Sequence, residues 1–99
     1  MPKTRVNDIE IAYEDVGCAS AIVLIHGYPF NRSLWADQVT ALADRYRVLT
    51  LDLRGHGETE TSAGTSSMKL MAQDVSALMD ELRIDRAVVG GLSMGGYVA

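Results

Sequence analysis

Three short apolar runs constrain this 99-residue chain more than any other feature. Ala21-Ile22-Val23-Leu24-Ile25 is uninterrupted, and Arg47-Val48-Leu49-Thr50-Leu51 and Arg86-Ala87-Val88-Val89-Gly90 share its character. A strand with one wet face alternates apolar and polar residues, whereas a strand covered on both faces in a parallel sheet does not. The segments between the runs have helical spacing. Trp35, Val39, Leu42 and Ala43 share one face behind Ser33, the candidate N-cap. Met68, Met71, Val75, Leu78, Met79 and Leu82 recur at steps of three and four after Ser66 or Ser67, and this is the clearest helix in the chain. At that spacing the methionines read as core filler rather than a cofactor box.

Ahead of these units, Val6 and then Ile9, Ile11 and Tyr13 alternate with polar residues around Asn7-Asp8, the pattern of an antiparallel hairpin with one solvated face. Gly17 to Ser20 form a turn, His26 to Arg32 a Gly- and Pro-punctuated loop, and Asp52 to Thr65 a long polar loop. The expected fold is therefore α/β: an N-terminal hairpin, then a parallel sheet with flanking helices. The third apolar run needs a neighbour on each side, and the helix that opens near Ser93 is short. Residues 1–99 are thus expected to form the N-terminal part of a single domain, truncated just after Ser93.

The net charge of −4 and nine scattered basic residues argue against a nucleic-acid or anionic-membrane binder, since both need clustered Lys and Arg. No segment approaches the roughly 18 apolar residues that span a bilayer, and no apolar stretch follows the first charges as in a secretory leader. Cys18 is the sole cysteine, so an intrachain disulfide and a Cys-built metal site are both excluded. It reads as a loop thiol. The expectation is a cytoplasmic protein with no metal and no cofactor; oligomeric state is not legible.

Gly91-Leu92-Ser93-Met94-Gly95 fits Gly-x-Ser-x-Gly directly after an apolar strand and at the start of a helix, the context that gives the pattern chemical meaning. A sharp strand-to-helix turn projects the serine hydroxyl above the C-terminal edge of the sheet, and Gly91 and Gly95 remove the side chains that would crowd it. Two other uses of such a junction stay open. One is a plain structural turn; the other is a phosphate cradle, although the Gly-x-Gly-x-x-Gly order and the P-loop lysine are missing. Acyl transfer further requires two preorganised N–H donors for its oxyanion. Met94, following the serine, supplies one. The loop His26-Gly27-Tyr28-Pro29 lies beside the serine turn in such a sheet, and Pro29 has no N–H, which leaves Tyr28 as the second.

The His-Gly-Tyr-Pro loop, Trp35, Asp52-Leu53-Arg54-Gly55-His56-Gly57 and Gly-Leu-Ser-Met-Gly together resemble the α/β-hydrolase family, in the family's order from about Ile9 to Ala99. Within that family the chain most resembles small carboxylic-ester and enol-lactone hydrolases. The His-Gly-x-Pro form is also similar to epoxide hydrolases, whose nucleophile is an aspartate where this chain has Ser93. The resemblance implies a hydrolase in which Ser93 forms an acyl-enzyme with a small ester or lactone and Tyr28 and Met94 amides hold the oxyanion. It implies loop-ordering roles for His26, Gly27 and His56, and a bracing role for Asp52. It also places the triad's acid and histidine after the serine, beyond Ala99, so the chain alone is expected to be inactive or nearly so. Tyr28-Pro29-Phe30 suggests an apolar lining near the serine. The alternatives are a non-enzymatic small-molecule-binding member of the fold and an inactive truncated fragment.

Overall fold

A computed structural model describes residues 2–28, 30–59 and 67–99. The chain opens with β1 (Lys3–Val6) and β2 (Ile9–Val16), paired antiparallel with Val6 opposite Ile9. Asn7 and Asp8 between them have φ of 50° and 68°, the two left-handed residues that a tight hairpin turn requires. β3 (Ala21–Ile25), α1 (Ala36–Leu42), β4 (Arg47–Leu51), α2 (Met68–Glu81), β5 (Ala87–Gly91) and α3 (Met94–Val98) follow. The five strands form one sheet in the order β1-β2-β4-β3-β5. β3 pairs parallel with both β4 and β5, and β2 joins the hairpin antiparallel to β4. The hairpin and the parallel strands thus agree with the sequence pattern, the third strand one residue later than expected.

From β3 the chain steps to β4 on one side and then back across to β5 on the other. Right-handed crossovers in opposite directions put α1 and α2 on opposite faces of the sheet. The side chains bear this out. Val23, Ile25, Leu49 and Leu51 point to the face where Met71, Val75 and Leu78 of α2 and Val98 of α3 complete the core, and Ile9 and Ile11 extend it. Val48 and Thr50, one residue out of phase on β4, are buried on the α1 side. β5 is the edge of the sheet, and its Val88 is 70% exposed.

One local expectation is corrected. Ser33 does not cap the first helix. Asn31 does the capping, with Oδ1 accepting from Ser33 N–H at 2.9 Å and Ser33 Oγ at 2.6 Å, and it starts a 3-10 turn over Arg32–Trp35 before α1. The polar loop after β4 is partly buried over its described residues. Asp52, Leu53, Arg54 and Thr59 are buried, and Thr59 Oγ1 bridges the sheet by donating to Asp52 O at 2.6 Å and accepting from Ala12 N–H at 2.9 Å. The expected loop residues 60–65 and the alternative cap Ser66 lie outside the described residues; Ser67 caps α2 through Leu70 N–H at 3.0 Å. No helix among the described residues is long and apolar enough to cross a membrane.

Candidate active site

Strand order dictates where a site can form. The connections leaving β3 and β5 emerge side by side at the C-terminal edge of the sheet and then run to different faces, which opens a crevice between them. Ser93 stands in that crevice. Its φ of 55° and ψ of −114° lie where L-residues with a Cβ rarely sit, a strained conformation found at functional turns. The residue is exposed, and its hydroxyl makes no hydrogen bond among the described residues, including to the helix it precedes.

The turn is tight because its neighbours are bare of side chains. A Cβ on Gly95 would meet the carbonyl oxygens of Ile25 and His26, so only glycine lets α3 settle against the end of β3. Gly91 faces the Gly95–Gly96 backbone in the same way. Across the crevice, a Cβ on Gly27 would stand 2.7 Å from Leu92 O and 3.5 Å from Ser93 Cβ, which puts the β3 loop in direct register with the serine. Leu92 N–H donates to Ile25 O at 3.1 Å and fastens the two segments. Met94 provides the first N–H of α3, a group that has no acceptor within the helix.

His26 fixes the second wall. Its ring is fully buried, and Nε2 accepts from Leu53 N–H at 2.9 Å. The proton therefore sits on Nδ1, which donates to Gly27 O at 3.0 Å. Phe30 N–H donates to the same carbonyl at 2.8 Å. A trans peptide is planar with its C=O and N–H antiparallel, so holding Gly27 O on the ring turns the Tyr28 N–H away from the ring. Tyr28 itself is 71% exposed and Phe30 about half exposed, on the rim. Pro29 lies outside the described residues.

With both nitrogens engaged, His26 has no lone pair for the serine proton. Burial above all, and then the nearby His56, lower its pKa below the ordinary 6.5, against the upward pull of the Gly27 carbonyl and Asp52. The unfolded chain then takes up a proton near pH 6.5 that the folded chain refuses. This contribution to stability is complete above pH 6.5 and is lost as the pH falls below it. Urea midpoints measured downward from pH 7.5 are expected to drop across that range, and to drop less in a His26→Gln variant. An unchanged slope in the variant would count against the assignment.

Asp52 is equally committed. Oδ1 accepts from Arg32 N–H at 2.7 Å, and Oδ2 from the Arg32 guanidinium and from Glu58 N–H at 2.9 Å. Ser93, His26 and Asp52 therefore do not form a triad among themselves. Beneath the loop, Arg54 forks onto Asp74 of α2, Nε to Oδ2 at 2.9 Å and Nη2 to Oδ1 at 2.8 Å, with both side chains buried. Asn7 Nδ2 donates to the same Asp74 Oδ1 at 2.7 Å and so ties the hairpin turn to the pair. Sequence reasoning missed Asp74. Its signal was a carboxylate inside the Met71-Val75-Leu78 stripe, at a position facing the core.

Residues 20–99 match the alpha/beta hydrolase fold family. The chain is 40% identical over 81 residues to 3-oxoadipate enol-lactonase 1 of Acinetobacter baylyi, covering 82% of this chain and 30% of that protein. It is 34% identical over 97 residues to a soluble epoxide hydrolase of Corynebacterium sp., 98% of this chain and 34% of the relative. Among solved structures, a thermophilic esterase from Thermogutta terrifontis superposes with a TM-score of 0.89 at 42% identity, covering 97% of this chain and 36% of the esterase. The chain spans about a third of the length of each of these relatives.

Proposed function

The chain belongs to the alpha/beta hydrolase fold family, and from that premise we propose that it carries the nucleophile and both oxyanion donors of a cytoplasmic serine hydrolase acting on small carboxylic esters or lactones. Ser93 Oγ attacks the carbonyl carbon, the carbonyl oxygen becomes an oxyanion, and the Tyr28 and Met94 N–H groups receive it. The alcohol leaves, and water releases the acid from the acyl-enzyme. In the family's chain order the acid and the histidine follow the serine, and the proposal assigns neither to a residue of this chain. His26, Gly27, Gly91 and Gly95 shape the turn and the loop.

One observation carries this reading: an exposed serine in a left-handed conformation, its hydroxyl unbonded among the described residues, with its Cβ 3.5 Å from where a Cβ on Gly27 would stand. The names of the enol-lactonase and esterase relatives support the ester or lactone class. An epoxide hydrolase is also among the relatives, but a serine at position 93 does not suit the aspartate chemistry of that group. The direct test is a fluorophosphonate probe applied to the protein expressed from its complete reading frame. Oγ displaces fluoride from phosphorus, and peptide mass spectrometry is expected to place the adduct on Ser93. An unlabelled protein, or an adduct elsewhere, sinks the assignment.

A further inference from the structure

We infer that His56 is a positioning residue for the Gly27–Tyr28 peptide, held in place through Arg54 by the buried Asp74 carboxylate. The inference rests on the reading of Tyr28 N–H as an oxyanion donor. The His56 ring lies 5.0 Å from the His26 ring and 5.7 Å from the Tyr28 ring, the latter edge-on at 89°. It thus touches the two residues that flank Gly27, and braces that peptide from both sides. His26 fixes the carbonyl by a hydrogen bond; His56 keeps His26 and Tyr28 from shifting relative to each other.

The ring's own anchor is equally specific. Nδ1 lies 3.0 Å from Arg54 O, and since a carbonyl only accepts, Nδ1 carries the proton. Nε2 is buried with no hydrogen-bond partner among the described residues. Such a nitrogen adds nothing to the contact, so the ring serves by its shape and its one tether. The tether is steady because Arg54 is locked in the fork to Asp74, which Asn7 closes. A residue of α2 therefore sets the position of a ring that aims a donor in the β3 loop.

A displacement of about 1 Å in a catalytic group costs about 10²-fold in rate, and loss of one oxyanion donor about 10²–10³. In the protein from its complete reading frame, His56→Ala is expected to lower kcat/KM for p-nitrophenyl acetate by about 10–100-fold. Phenylboronic acid separates positioning from general damage. Ser93 Oγ adds to boron while its proton passes to the base, and the tetrahedral adduct sets a boron oxygen where the oxyanion would sit. Its affinity is expected to fall by the same factor, while that of acetate, a flat product, stays unchanged. His56→Phe keeps the ring but loses the Nδ1 tether to Arg54 O, so its boronate affinity is expected to fall between those of His56→Ala and wild type; if the alanine variant fails to fold, the phenylalanine variant carries the test by itself through a boronate affinity below wild type at unchanged acetate affinity. Unchanged boronate affinity in His56→Ala, equal losses for boronate and acetate, or a phenylalanine variant with boronate affinity equal to wild type or no better than that of His56→Ala would each overturn the inference. Activity surviving Ser93→Ala overturns the parent reading; activity lost there but kept in His56→Ala overturns this inference alone.

Discussion

Replacing Ser93 by alanine is expected to lower kcat/KM of the protein from its complete reading frame by about 10⁴-fold or more, toward the residual rate that an oxyanion hole and binding sustain without a nucleophile. Alanine is the informative substitution. It keeps the Cβ, and with it the same backbone strain at φ 55°, so the comparison with wild type isolates the hydroxyl. Glycine would remove the oxygen and also relieve about 1–2 kcal/mol of backbone strain, mixing a stability gain with an activity loss. The alanine variant should therefore unfold at the wild-type urea concentration while turning over no p-nitrophenyl ester above background. Retention of a tenth of the activity would mean that another residue attacks the substrate.

The largest stability effect is expected from Asp74→Ala. Arg54 is buried beneath the site, and the Asp74 carboxylate both hydrogen-bonds it and raises its pKa. Removing the acid strands a guanidinium away from water and leaves Asn7 Nδ2 without its acceptor. Breaking one half of a buried pair costs about 3–5 kcal/mol. Native domains have about 5–15 kcal/mol in total, so the loss should be plain in the urea midpoint at unchanged m-value. Arg47 and Asp15 make a comparable fork at 2.8 and 2.6 Å, yet both side chains are partly exposed. Asp15→Ala serves as the control, expected to cost about 1 kcal/mol or less. Equal losses at the two sites would show that burial is not what makes the Asp74 pair count.

What the sequence disclosed and what it withheld divide along a physical line. Strands β3 and β4 were legible because burial in a parallel sheet leaves a short apolar run, and β5 because its Ala-Val-Val run has the same character although Val88 is exposed at the sheet edge. The hairpin was legible because Asn and Asp tolerate the left-handed turn at 7 and 8. Ser93 was legible because a chemical requirement and a local turn coincide within five residues. Local competition hid the Asn31 cap: Asn31 and Ser33 are both good caps, and only the 3-10 turn decides between them. The roles of Arg32, Asp52, Arg54 and Asp74 were hidden for a different reason. Their partners lie twenty residues away in sequence and are chosen by the packing of finished elements, so no window of neighbouring residues records the pairing.

The clasp between Asn7 and Asp74 also bears on how the chain is made. The two residues are 67 positions apart, so at about 5–20 residues per second the ribosome adds the second about 3–13 s after the first. Through that interval the hairpin has no anchor on α2, and β3 has its β4 neighbour before its β5 neighbour exists. A nascent chain of this protein therefore presents one bare backbone rim for seconds, the period in which a chaperone would have most to protect.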